Sequence, residues 1–153
     1  MFTAIDSSEA NTQSHAILAA ARDGAQKSRL QYAGDVTPEQ AWSLFSAGIA
    51  ELIDVRTGRE LQRTGSVPSA PHIEWLVSAD MSKNPHFLNE LDSVVNKGNV
   101  VLFLCRSGKR SVAAAEAATE AGFRNAFNIL EGFEGDGNPR LGWLNRRLPV
   151  TQE

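Results

Sequence analysis

VVLFLCRSGKRSVAAAEAATEAG, residues 100–122, decides the architecture. Val100–Leu104 is a run of five apolar residues bounded by polar chain, the pattern of a short strand buried on both faces. Ser111–Glu120 is alanine-rich and strongly helix-forming, and Gly122 closes it. The stretch is therefore strand, polar loop, helix, and the chain's single cysteine, Cys105, stands at the joint.

Working outward, the same alternation repeats. Phe87, Leu88, Leu91, Val94 and Val95 recur at helical spacing after Asn84-Pro85, and Gly98 ends them. Leu52, Ile53 and Val55 make a second buried strand. Thr57 to Gly65 reads as loop and a helical turn, Val67–Pro71 as a proline-braced extended stretch, and His72–Val77 as another strand. Val36 is a short strand before Thr37-Pro38-Glu39-Gln40, which has a cap, a proline and a Gln at the spacing of a helix start. That helix carries Ala41, Leu44 and Phe45 and stops at Gly48. Ser14 to about Leu30 shows a weaker helical stripe interrupted by Gly24, after a loose polar start of about 12 residues. Ala126–Leu130 is the last strand and Pro139–Arg147 a last helix. The pattern predicts an α/β fold with a mainly parallel central sheet of about five strands, flanked by helices on both faces.

Composition narrows the function classes. A chain of 153 residues with 42% hydrophobic and 22% charged residues is sized for one ordinary globular domain. Its net charge of −3 offers no electrostatic reason to bind nucleic acid or an anionic membrane. One cysteine excludes an intrachain disulfide, and His15, His72 and His86 lie apart without ligand spacing, so no metal site is expected. The N-terminus has no continuous apolar core of a secretory signal, and no run is long enough to cross a bilayer. A cytoplasmic location and a monomer or weak homodimer are the expectation.

In a parallel α/β sheet, ligands gather beyond the carboxyl ends of the strands, where Cys105 falls. Arg106-Ser107-Gly108-Lys109-Arg110-Ser111 leads from it into the helix. Main-chain N–H groups at a helix start lack intrahelical partners and carry the positive end of the helix dipole. A loop curled about the sulfur, with Gly108 supplying the freedom to curl, aims those groups at an anion. Such a setting, with cationic side chains beside it, favours the nucleophilic thiolate. The competing reading is an inert cysteine closing a core strand.

These residues resemble the single-domain rhodanese-like sulfurtransferases from about Asp35 onward. Cys105-Arg106-Ser107-Gly108-Lys109-Arg110-Ser111 is similar to the family's Cys-x-x-Gly-x-x-Ser/Thr/Ala loop. Leu52-Ile53-Asp54-Val55-Arg56, with Glu60 and Gly65-Ser66-Val67-Pro68-Ser69-Ala70, resembles its Asp-Val-Arg and Gly-His-Ile-Pro-Gly-Ala signature. Asn128-Ile129-Leu130-Glu131-Gly132, then Gly142-Trp143 and Leu148-Pro149, resembles its closing stretch. Ser66 and Ser69 replace the usual His and Gly, and one glycine follows Leu130-Glu131 where two are common. Residues 1–34 then form a partly helical N-terminal extension to a rhodanese-like domain at 35–153.

The resemblance implies sulfane-sulfur transfer by double displacement through a persulfide on Cys105, with no cofactor. The partners implied are a small anionic sulfur donor and a thiol or protein-cysteine acceptor, or cyanide. Residues 106–111 would bind the substrate and persulfide, with Ser107 and Ser111 donating hydroxyl hydrogen bonds or Ser111 capping the helix. Arg106 implies thiosulfate, because a positive residue at that place in the family accompanies it. Asp54 and Arg56 would brace the site as an ion pair, and Trp42, Trp75 and Trp143 read as packing residues. Two rivals stand beside this. A cysteine-dependent phosphatase or arsenate reductase needs arginine six residues after the cysteine, where this chain has Ser111. A binding or regulatory module without turnover is the other.

Overall fold

The computed structural model describes residues 7–77 and 80–152, with ten of the elements running α1 (Ser7–Ser28), β1 (Gly34–Val36), α2 (Pro38–Ser46), β2 (Ala50–Asp54), α3 (Gly58–Thr64), β3 (Leu76–Val77), β4 (Ser82–Lys83), α4 (Phe87–Val94), β5 (Val100–Leu104) and α5 (Lys109–Glu120). β6 (Ala126–Ile129) and a short 3-10 turn (Gly135–Gly137) follow. β1, β6, β5 and β2 lie side by side in that order, every pair parallel. β3 and β4 form a separate antiparallel ribbon.

The sheet has four regular strands where the sequence predicts about five. Residues 71–75 do run beside β2, through Asp54 N–H to the Pro71 carbonyl and the Ile73 and Trp75 N–H groups to Asp54 and Val55. The Arg56 N–H turns to the Asp54 carboxylate instead of to this stretch, and among the described residues Asp54 and His72 pair as an isolated bridge. The regular part of the expected His72–Val77 strand shrinks to Leu76–Val77 and pairs elsewhere.

Alternation along the strands divides the core. Val101, Phe103 and Cys105 of the β5 run join Ile53 and Val55 on the face covered by α4 and α5. Leu102 and Leu104 join Leu52, Phe127 and Ile129 on the other face, under α2 and Trp143. Trp42 and Trp143 meet edge to face at 6.1 Å there, while Trp75 meets Phe87 at 4.9 Å on the opposite side. Helix α2 starts as its sequence dictates: the Thr37 hydroxyl accepts from Gln40 N–H, and the Gln40 side chain accepts from Thr37 N–H.

Two helices differ from expectation. α1 begins by Ser7 and continues through Gly24, because a glycine costs only about 1 kcal/mol in a helix and the packing of Ile17, Leu18 and Ala21 offsets it. The first six residues of the polar start lie outside those described. Pro139–Arg147 forms successive turns, not a helix. Gly142 has φ 101° and Arg147 φ 59°, and the N–H groups of Trp143 and Leu144 bond to the carbonyls of Gly132 and Phe133 instead of to a preceding turn. Among the described residues, no helix is long and apolar enough to cross a membrane.

Candidate active site

Cys105 follows β5 directly, and four residues later α5 begins. The pleat turns its side chain to the α5 face, where it is 1% exposed. Gly108 is the N-cap of α5 with φ 107°, and its N–H donates to the Cys105 sulfur at 3.0 Å. The Ser111 hydroxyl oxygen lies 3.2 Å from the same sulfur. Among the described residues, the sulfur thus meets one main-chain donor and one hydroxyl within bonding distance, a sparser setting than the ring of amides inferred from the loop's sequence. Ser111 does not cap the helix; it is the third residue inside it and fully buried.

The loop is clamped by the turn that follows β6, the strand paired with β5. After β6, the N–H groups of Phe133 and Glu134 bond to the carbonyls of Cys105 and Arg106 at 2.7 and 2.9 Å. Gly132 permits this approach: it has φ 68°, and a Cβ there would meet the Arg106 carbonyl carbon and oxygen at 2.4 Å. Gly132 is the position after Leu130-Glu131 at which a Cβ would run into the loop's main chain. Phe133, at the next place, carries the Arg56 guanidinium 3.8 Å from its ring centre.

The cations of the loop have distinct fates. Arg110 makes two parallel bonds to Glu60 on α3, at 2.7 and 2.8 Å. Burial works against the Glu60 carboxylate, but the Arg110 bonds and those from Thr57 outweigh it and hold Glu60 at about 2. The Glu60 bonds in turn raise Arg110 above its ordinary value, with smaller contributions from Cys105 and Asp54. Arg106 is half-exposed, 3.3 Å from Glu134, which also pairs with Arg63 at 3.0 Å. Lys109 is exposed and Ser107 half-buried. Arg59, Arg63, Arg106 and Arg110, with Glu60 and Glu134, line a cleft of about 570 Å³ beside the loop. Cys105 lies beneath that cleft's lining rather than in it.

Asp54 and Arg56 form a buried pair, Arg56 Nη2 to Asp54 Oδ2 at 2.7 Å and Nε to Oδ1 at 3.0 Å. Arg56 also donates to Thr64 Oγ1 and the Gly65 carbonyl, tying β2 to the end of α3. Each of its three side-chain nitrogens is engaged there, and no bond from it reaches the sulfur. Glu60 had no assigned role from the sequence, although the same capping pattern that starts α2 recurs at Thr57 and Glu60. Asn128 was also missed as a site residue: its amide is bonded to Ser111 at 2.5 Å. The signal was present, a lone amide inside the otherwise apolar strand AFNI. Among the described residues, no group of His, Cys, Asp or Glu is placed to hold a metal ion.

With this geometry in view, a family model described as a Rhodanese-like domain matches residues 37–137. An uncharacterized protein of Rickettsia conorii, RC0915, is 38% identical over 108 residues, spanning 69% of this chain and 86% of that one. Thiosulfate sulfurtransferase 18 of Arabidopsis thaliana is 29% identical over 122 residues, 77% of this chain and 83% of that one. The crystal structure of Rv0390 from M. tuberculosis superposes with a TM-score of 0.70 at 41% identity, covering 80% of this chain and 99% of that one.

Proposed function

Because the chain belongs to the rhodanese-like domain family, we propose that it is a sulfurtransferase working through Cys105, with thiosulfate as a donor. The observation that carries this is the Cys105 sulfur held at the carboxyl edge of the sheet, 3.0 Å from the Gly108 N–H at the start of α5. The Cys105 thiolate attacks the outer sulfur of thiosulfate; the new S–S bond forms as the bond to the sulfite group breaks, and sulfite leaves with its electron pair. The persulfide's outer sulfur then carries the negative charge. Gly108 N–H and the positive end of α5 favour that anion. A thiol, a protein cysteine or cyanide takes the outer sulfur and restores the thiolate, so one difficult transfer becomes two easier ones. Arg59, Arg63 and Arg106 line the approach and concentrate anionic donors. The cytoplasm, where free thiols are abundant, is the location this chemistry suits, and a monomer suffices because every group used lies on one chain.

The phosphatase alternative lacks its central group. Its arginine would occupy position 111, where the serine is buried, and the neighbouring Arg110 is held by Glu60. One observation favours a binding module instead: Cys105 is 1% exposed, so a donor must displace part of the loop's cover to reach it.

Intact-mass measurement after incubation with thiosulfate decides between them. The expected result is a gain of one sulfur atom, absent in Cys105→Ser and discharged by cyanide as thiocyanate. No gain from thiosulfate or an organic persulfide, with native Cys105 also inert to iodoacetamide, would overturn the proposal and leave the binding module.

A further inference from the structure

Sulfur transfer as described leaves a chain of polar side chains unused. Ser111 Oγ is 3.2 Å from the Cys105 sulfur and 2.5 Å from Asn128 Oδ1. Asn128 Nδ2 is 2.9 Å from Asp35 Oδ1, and the Tyr32 hydroxyl is 2.8 Å from that same oxygen. Ser111, Asn128 and Tyr32 are all buried, on α5, on β6 and just before β1.

Elimination gives each bond its direction. A carboxylate only accepts, so Asn128 turns its NH₂ toward Asp35 and its carbonyl oxygen toward Ser111. That oxygen also only accepts, so the single hydroxyl hydrogen of Ser111 goes to Asn128. Ser111 therefore presents a lone pair to Cys105. A thiol can donate to that lone pair; a thiolate is repelled by it.

We propose that Asn128 is a positioning residue for Cys105: by holding the Ser111 hydroxyl hydrogen it keeps the resting sulfur as a hydrogen-bonded thiol, and the nucleophile forms when that hydrogen swings from Asn128 to the sulfur. The consequence for turnover rests on the sulfurtransferase reading; the bond directions do not. In the step itself, the thiol proton leaves to water or a buffer base, the Ser111 hydroxyl rotates to donate to the sulfur anion, and the Asn128 carbonyl loses its donor. A buried acceptor left without a donor is costly, so the hydrogen returns once the sulfur loses its charge.

Gly108 N–H donates to the sulfur, and the charge that interacts with Cys105 is that of Arg110 on α5, held by Glu60 of α3. The Asp54–Arg56 pair after β2 and the Arg106–Glu134 pair of the two loops are the other charged groups around the loop, and none of these bonds to Asn128. Asp35 and Tyr32 lie beyond Asn128 itself, and the face that α4 contributes, Phe87 and Leu91, is apolar.

Cys105 is the only cysteine, so the thiolate ultraviolet band, read against Cys105→Ser, reports its titration directly. Tyr32, the only tyrosine, is followed separately by its phenolate band. Asn128→Leu removes the competing acceptor, and the thiolate midpoint should fall by about one pH unit, the worth of one such hydrogen bond. In a Ser111→Ala background the same substitution should move it by less than about 0.3. Asn128→Asp sets a second carboxyl group about 2.9 Å from Asp35, where the two share one proton. With that proton on the Asp35 side the oxygen facing Ser111 is the stronger acceptor, and the midpoint should move up, further with Ser111 present than in Ser111→Ala. If the leucine variant does not fold, the aspartate pair carries the test alone. An unchanged midpoint, a leucine effect that survives in Ser111→Ala, or both variants moving alike overturns the proposal. Sulfur loading by intact mass is read in parallel: its failure would remove the transferase reading while the titration result stood.

Discussion

Replacing Glu60 with glutamine probes how the loop's positive charge is anchored. Burial disfavours this carboxylate, yet the two Arg110 bonds, the Thr57 N–H at 3.1 Å and the Thr57 hydroxyl at 3.0 Å bring it from 4.5 to about 2. At about 1.4 kcal/mol per pH unit, that difference corresponds to ~3 kcal/mol of preference for the charged form in the folded protein. Glu60 has 10% of its side chain exposed, so solvent screening removes little of it. Glutamine keeps one neutral acceptor for Arg110, and the expected loss at pH 7 is ~2 kcal/mol. A depressed carboxylate stabilises the fold above its unfolded value, and that contribution disappears as pH falls from about 4.5 toward about 2. Wild type should therefore lose stability across that window, and Glu60→Gln should lose about 2 kcal/mol less. Urea unfolding at pH 7 and in steps down to pH 3, at constant denaturant slope, measures both. A variant within about 0.5 kcal/mol of wild type at pH 7, or one with the same acid sensitivity, would refute the reasoning.

Gly132→Ala should destabilise the protein by about 3 kcal/mol in the same unfolding assay, since its Cβ would sit 2.4 Å from the Arg106 main chain at φ 68°; near-wild-type stability would mean the loop clamp yields. Glu134→Gln frees Arg63 and Arg106, both more than half exposed, so stability should change by less than about 0.5 kcal/mol. In steady-state kinetics at low salt, its KM for thiosulfate should fall about 2-fold with kcat unchanged. A raised KM would show that Glu134 orders the cleft rather than screens it.

Local patterns were legible in the residues wherever short-range physics decides. The buried strand at Val100–Leu104, the Thr37 capping box and the helix after Gly108 follow from runs, caps and propensities a few residues long. The Pro139–Arg147 helix did not form because its N–H groups found carbonyls on Gly132 and Phe133, partners that periodicity does not register. The fifth strand frayed because the Arg56 N–H turns to the Asp54 carboxylate and Trp75 bonds to Val55, which breaks the regular ladder. Ser69 sits at φ 66°, keeping the left-handed turn that the family's glycine would adopt more cheaply.

The amino-acid sequence alone thus determined the α/β alternation, the position of Cys105 at a strand-to-helix joint, and the glycine that turns an N–H back onto it. Only the tertiary structure decided which charges remain available and which way a hydrogen points. Arg110 is claimed by Glu60, 50 residues away, and the Ser111 hydroxyl is oriented through Asn128 by Asp35, a further 93 residues back along the chain. A hydrogen bond has one donor and a limited reach, so its direction depends on every partner that folding brings within about 3 Å, and those partners are distant in sequence.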